Sequence, residues 1–192
     1  MELIINACHA DEKRIILAEK IIQMTAIGHV KGFCVIESID TENIGLISGT
    51  QDYGIYFSPE DKIDSNQVSQ QISSLKNQCE HSHIVWLSSK SYKSDDIKFA
   101  WIIAHEFGHI LQNIKTRQPN ANKISLLRRQ EKFKSLPVSC MDKNEIDSDL
   151  LAYEVCSSIF DEDNMVNYLN KNGIERCPFD MYPLFLREAV SD

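Results

Sequence analysis

Long apolar runs are missing from this chain. The longest, Phe99–Ala104, has six residues, whereas a membrane-spanning helix needs about 20. No segment is therefore expected to cross a bilayer. An export signal is not expected either. The chain opens Met1-Glu2-Leu3-Ile4-Ile5-Asn6, with an acid where a signal carries basic residues and an apolar stretch that is too short. No two of the six cysteines (Cys8, Cys34, Cys79, Cys140, Cys156 and Cys177) form a C-x-x-C pair. That disfavours a sulfur-rich structural zinc site and predicts reduced, mostly buried thiols in a cytoplasmic protein. Glycine (7) and proline (5) are too sparse among 192 residues for a linker-dominated chain, and the length fits a single domain over residues 1–192. Basic excess is absent as well: 20 Lys and Arg face 28 Asp and Glu, which argues against a general nucleic-acid binder.

Residues 115–134 are the exception, with seven basic groups against Glu131 alone. A solvated helix balanced by an acidic body explains such a stretch, and so does a docking surface for an acidic partner.

Periodicity predicts an amphipathic helix over 11–26 stopped by Gly28. Strands follow at Phe33–Glu37, Ile44–Ile47 and Tyr53–Phe57, then a surface helix at Asn66–Cys79 and a strand at His83–Leu87. A long helix starts near Ser94, which can cap it, with Asp95 and Asp96 in a first turn where the helix dipole favours negative charge. Helical segments at Lys123–Ser135, Asn144–Phe160, Asp163–Asn170 and Met181–Val190 complete an α+β domain. It has an N-terminal helix and a small mixed or antiparallel sheet, followed by a mostly helical half.

The helix after Ser94 is apolar nearly all round, as a buried helix should be, yet its centre carries His105, Glu106 and His109. Such residues are rarely buried without partners. Residues i and i+4 share a helix face, so both imidazoles can reach one ion at Zn–N distances of about 2.0–2.1 Å. Glu106 lies about 100° round the helix. There it is poorly placed as a ligand and well placed to hold and deprotonate a water at the metal. The pattern H-E-x-x-H would arise by chance in about one chain in a hundred of this composition.

A catalytic zinc needs a third protein ligand. In the helix after Asn144, Glu145, Asp149, Ala152 and Cys156 fall in one stripe. Small Ala152 and Cys156 would let it approach the histidine helix. Glu145 could then bind the metal, and Asp149 could accept the outer N–H of a ligand histidine. In isolation an acid-rich first turn stabilised by the dipole is the better explanation of Asp142, Glu145 and Asp147; 36 positions after His109 of the H-E-x-x-H, the metal reading wins, with Asp142, Asp147 and Cys140 as the alternatives for the third ligand.

His105-Glu106-Phe107-Gly108-His109 followed by Glu145-Ile146-Asp147-Ser148-Asp149-x-x-Ala152 resembles the gluzincin metalloproteases. Within them, the apolar Phe99-x-x-x-x-Ala104-His105 approach is most similar to the small cytoplasmic ImmA/IrrE-type proteases. The resemblance covers roughly residues 94–160 and leaves the first 80 unmatched. It implies a zincin-like fold and one zinc ion held by His105, His109 and Glu145. Glu106 would be the general base, and Asp149 would support a histidine. The implied activity is hydrolysis of a peptide bond in a specific protein partner, such as a transcriptional repressor. Docking would involve Arg128 and Arg129, and the substrate would pair along His83–Leu87, a run that reads equally well as a plain internal strand. Tyr153, Tyr168, Tyr182, His81 and His83 are candidates to stabilise the oxyanion, and Cys140 could cap the zinc. The competing reading is a non-catalytic binding or regulatory protein that keeps the fold and the metal. Glu106 speaks against it, because a structural site has no need of a base.

Overall fold

In a computed structural model, the chain is described at residues 4–6, 12–25, 27, 30, 33–37, 53–60, 83–87, 91, 93–119, 121–122, 124–125 and 142–172. The elements expected at Ile44–Ile47, Asn66–Cys79 and Met181–Val190 lie outside these residues. So do most of Lys123–Ser135 and Gly28, His81, Arg128, Arg129, Cys140, Gly173 and Tyr182.

Strand β1 (Ile4–Asn6), helix α1 (Glu12–Met24) and strand β2 (Phe33–Glu37) open the chain. β1 and β2 run parallel, which requires a crossover, and α1 supplies it. α1 buries Ala18, Ile21 and Ile22 on one stripe. β3 (Gly54–Phe57) and β4 (His83–Leu87) complete a mixed sheet of order β1-β2-β4-β3. β4 is parallel to β2, with Phe33 opposite His83, and antiparallel to β3, with Tyr56 opposite Val85.

All five residues of β4 are buried, as expected of a strand with neighbours on both sides. This corrects one expectation. β2 and β3 take up both hydrogen-bonding edges of His83–Leu87, so a substrate cannot pair along it. Among the described residues the edge beside the later helices is β3.

Helix α2 (Asp96–Asn113) runs through the middle of the core. Its cap is Asp95, not Ser94: the Asp95 carboxylate accepts from the Lys98 amide at 2.9 Å, whereas the Ser94 hydroxyl donates to the Ser91 carbonyl. Ser91 also donates to the Tyr53 carbonyl, tying the start of β3 to the entry of α2. Phe99, Ala100, Ile103, Ala104, Phe107 and Ile110 pack with Val85 and Leu87 of β4 and with the buried stripe of α1 in one core cluster.

α3 (Lys143–Phe160) is capped by Asp142, whose side chain accepts from the Asn144 amide. It crosses α2 at Gly108. A methyl group there would stand 2.7 Å from Ser148 Oγ and 2.9 Å from Ser148 Cα, so the helices could not keep this spacing with any larger residue. Ala152 and Cys156 are fully buried on the same helix, as the small-residue stripe suggested, and burial pushes the Cys156 thiol pKa up. α4 (Glu162–Asn172) follows a junction at Asp161, whose side chain accepts from the Asn164 amide. Among the described residues no helix is long and apolar enough to cross a membrane.

Candidate metal centre

The crossing of α2 and α3 brings His105, His109 and Glu145 together, each offering a ligand atom within 4.8 Å of the others. His105 Nε2 and His109 Nε2 are 3.1 Å apart, and the rings meet edge-on at 80°. Glu145 presents Oε2 to His105 Nε2 and Oε1 to His109 Nε2, each at 3.3 Å. Ligands at about 2.05 Å from a tetrahedral ion lie about 3.3 Å from one another. Two imidazoles and a carboxylate at this spacing fit zinc in both geometry and donor type.

His105 is buried, and its Nδ1 is 2.8 Å from Asp149 Oδ1. That carboxylate orders the outer nitrogen, as expected for a group that orients a metal ligand. Burial alone would lower the His105 pKa. The charge and hydrogen bond of Asp149, the bond to Glu145 and the charge of Glu106 outweigh it, and His105 titrates at about 10. The acidic side chains around His105 thus favour a cation there, and a metal ion binding at this imidazole would displace its proton. Near pH 7 zinc uptake should therefore release at least one proton, and apparent affinity should rise as the pH is raised toward about 10. Calorimetry in buffers of differing ionisation enthalpy reads this directly; proton-neutral uptake would contradict the assignment of His105.

Glu106 is buried on α2 and is not one of the three converging ligands. β3 passes over it. A methyl group at Gly54 would stand 3.2 Å from Glu106 Oε1 and 2.9 Å from Ile102 Cγ2. Glycine at this position lets the strand lie directly on the carboxylate.

The other carboxylates suggested as third ligand are engaged elsewhere: Asp142 caps α3, and Asp147 accepts from Arg117 and Gln112. Of the oxyanion candidates, Tyr153 is buried and donates to Glu162 at 3.4 Å. Tyr168 donates to Asp95, about 20 Å along α2 from His109. Neither faces the metal triangle. His83 lies close, but behind a residue that sequence reasoning missed. Tyr56 stacks on His109 at 6.4 Å with an interplanar angle of 14°, and on His83 at 5.9 Å. Its hydroxyl is 2.8 Å from His83 Nδ1. Burial lowers the His83 pKa, so this imidazole is neutral near pH 7. Placement of a strand between Asp52 and Ser58 was legible, but its passage over α2 is a tertiary fact. Gln112, Ser148 and Arg117, which surround His109 and Asp147, were missed for the same reason.

Comparison of the chain with family profiles, curated proteins and solved structures returned no match.

Proposed function

We propose that this chain is a zinc-dependent endopeptidase of gluzincin type, with a zincin-like single domain similar to the ImmA/IrrE group. The observation that carries the reading is Glu106, a buried carboxylate one residue from a His105–His109–Glu145 ligand triangle and outside it. A structural zinc site is normally closed by four protein ligands, whereas a catalytic one uses three. A base beside a three-ligand triangle fits hydrolysis and has no use in a structural site.

Zinc held by His105, His109 and Glu145 would supply Lewis acidity and a water that ionises near neutral pH. Glu106 would take the proton of an attacking water and return it to the departing amine. Tyr56 donates a hydrogen bond from its hydroxyl to the carbonyl oxygen as charge builds there, and neutral His83 holds that hydroxyl in position. The substrate enters as an extended segment along β3, the edge strand of the sheet among the described residues, which lies over Glu106. Such a site selects unfolded or exposed segments, in keeping with site-specific cleavage of a protein partner such as a transcriptional regulator.

Tyr56→Phe should leave zinc content unchanged and lower kcat by about 10²–10³-fold, the usual loss for one oxyanion donor. An unaltered kcat would remove Tyr56 from the chemistry. The reading as a whole is tested by a peptide library analysed by mass spectrometry. Zinc-loaded protein should cut within peptides and show preferences on both sides of the scissile bond. Full zinc occupancy without any cleavage would leave a binding protein.

A further inference from the structure

Metal binding needs both histidines in the tautomer that protonates the outer nitrogen and leaves the inner one free. Asp149 enforces this on His105. Among the described residues no carboxylate pairs with His109 Nδ1; instead Gln112 Oε1 and Ser148 Oγ each lie 3.3 Å away. A hydroxyl can donate or accept, so Ser148 does not decide the tautomer. The amide can, if its own orientation is fixed.

It is fixed from the other side. Gln112 Nε2 faces the Asn144 carbonyl at 2.9 Å and Asp147 Oδ2 at 3.0 Å. Both groups only accept, so this end of the amide must be the NH₂. The carbonyl end is then turned to His109 Nδ1, which must carry the proton. Asp147 itself is 2 % exposed and would be a costly buried charge without a partner. Arg117 supplies one, with Nε 2.6 Å from Asp147 Oδ2 and a terminal nitrogen 3.2 Å from the Asp147 carbonyl. Arg117 also reaches Glu154 at 3.8 Å. The chain gets there through a left-handed residue, Lys115 at φ 59, just beyond the end of α2.

We propose that Arg117, Asp147 and Gln112 form a relay that fixes His109 as its Nδ1–H tautomer. The relay makes Arg117 and Gln112 positioning residues for the metal, though neither touches it. This rests on the reading of His105, His109 and Glu145 as a metal centre.

The test is a double-mutant cycle read by zinc affinity, in competition with a chromophoric chelator. Gln112→Leu removes the relay's last link and leaves the Arg117–Asp147 pair in place. It should weaken zinc by about 10–100-fold, as loss of a ligand's outer partner does, with the melting temperature of the metal-free protein almost unchanged. Arg117→Ala should weaken zinc to a similar extent in the wild-type background and add nothing in the Gln112→Leu background, because both break one chain. Should Arg117→Ala not fold, Arg117→Lys takes its place; it keeps the charge against Asp147 and loses the two-point grip. Cobalt(II) loading gives a second readout: the visible ligand-field bands should change alike in both single variants. Independent, additive losses would overturn the relay while leaving the metal centre intact. A wild-type chain that binds neither zinc nor cobalt would overturn the centre itself.

Discussion

Glu106→Gln should abolish peptide hydrolysis while the chain keeps its zinc. Glutamine matches glutamate in volume, so the buried slot between α2 and β3 stays filled, but an amide cannot accept the proton of the attacking water. General-base loss costs about 10²–10⁴-fold in rate. The larger figure is expected here, because the other carboxylates of the cluster are engaged. Asp149 is committed to His105, and Asp147 to Arg117 and Gln112. Glu145 belongs to the ligand triangle. Zinc should be retained because Glu106 is not one of the converging ligands. A variant that hydrolyses peptides at the wild-type rate would remove Glu106 as base; one that loses zinc would make it a ligand.

Glu145→Ala should eliminate high-affinity zinc binding with little effect on the metal-free fold. The choice of residue matters. His105→Ala would remove a buried imidazole and the hydrogen bond it makes with Asp149, a fault in the folded state whatever the metal does. The Glu145 side chain is 36 % exposed, and His105 keeps its shorter hydrogen bond to Asp149 when Glu145 is removed. Zinc at about 100-fold above its Kd stabilises a folded protein by about 2.7 kcal/mol. For a chain of this length that is about 5–10 °C in Tm. The wild type should show that rise on adding zinc and Glu145→Ala should not, while their metal-free Tm values coincide. Differential scanning calorimetry with and without zinc checks both halves. A variant that still gained the full increment would exclude Glu145 as third ligand. His109→Ala should lose the increment in the same way.

The site was legible in the sequence wherever its logic is confined to one helix. His105 and His109 share a face because of the helical repeat, and their burial was implied by the apolar residues around them. Glu145 and Asp149 could be paired with them because the same spacing recurs on a second helix. Asp149 does meet His105 Nδ1. The fold was legible to a similar depth. Phe33–Glu37 and His83–Leu87 are strands with those bounds, and α1, α2 and α3 begin and end close to where charge and periodicity put them. What failed was local ambiguity or distant contact. Ser94 and Asp95 are both good caps one residue apart, and only backbone geometry separates them. Ile4–Asn6 is a three-residue strand, too short to show a period.

An apolar run such as His-Ile-Val-Trp-Leu reads the same in the middle of a sheet as at its rim, so the strand expected to receive substrate proved to be an interior one. Tyr56 reaches His83 across 27 positions, and Arg117 reaches Asp147 across 30. No periodicity spans such distances. These are also the contacts that surround the metal triangle, so the ligands could be read from the sequence while most of the groups that orient them could not.

In the proposed reading, one metal ion at His105, His109 and Glu145 makes this chain a peptidase. It is tested most directly by metal content and peptide hydrolysis followed on a single sample through chelation and zinc return. The account predicts about one zinc per chain, as a single three-ligand site requires. Hydrolysis should be lost with the zinc and restored in proportion as zinc is added back. Undiminished hydrolysis by the chelated, metal-free protein would contradict it.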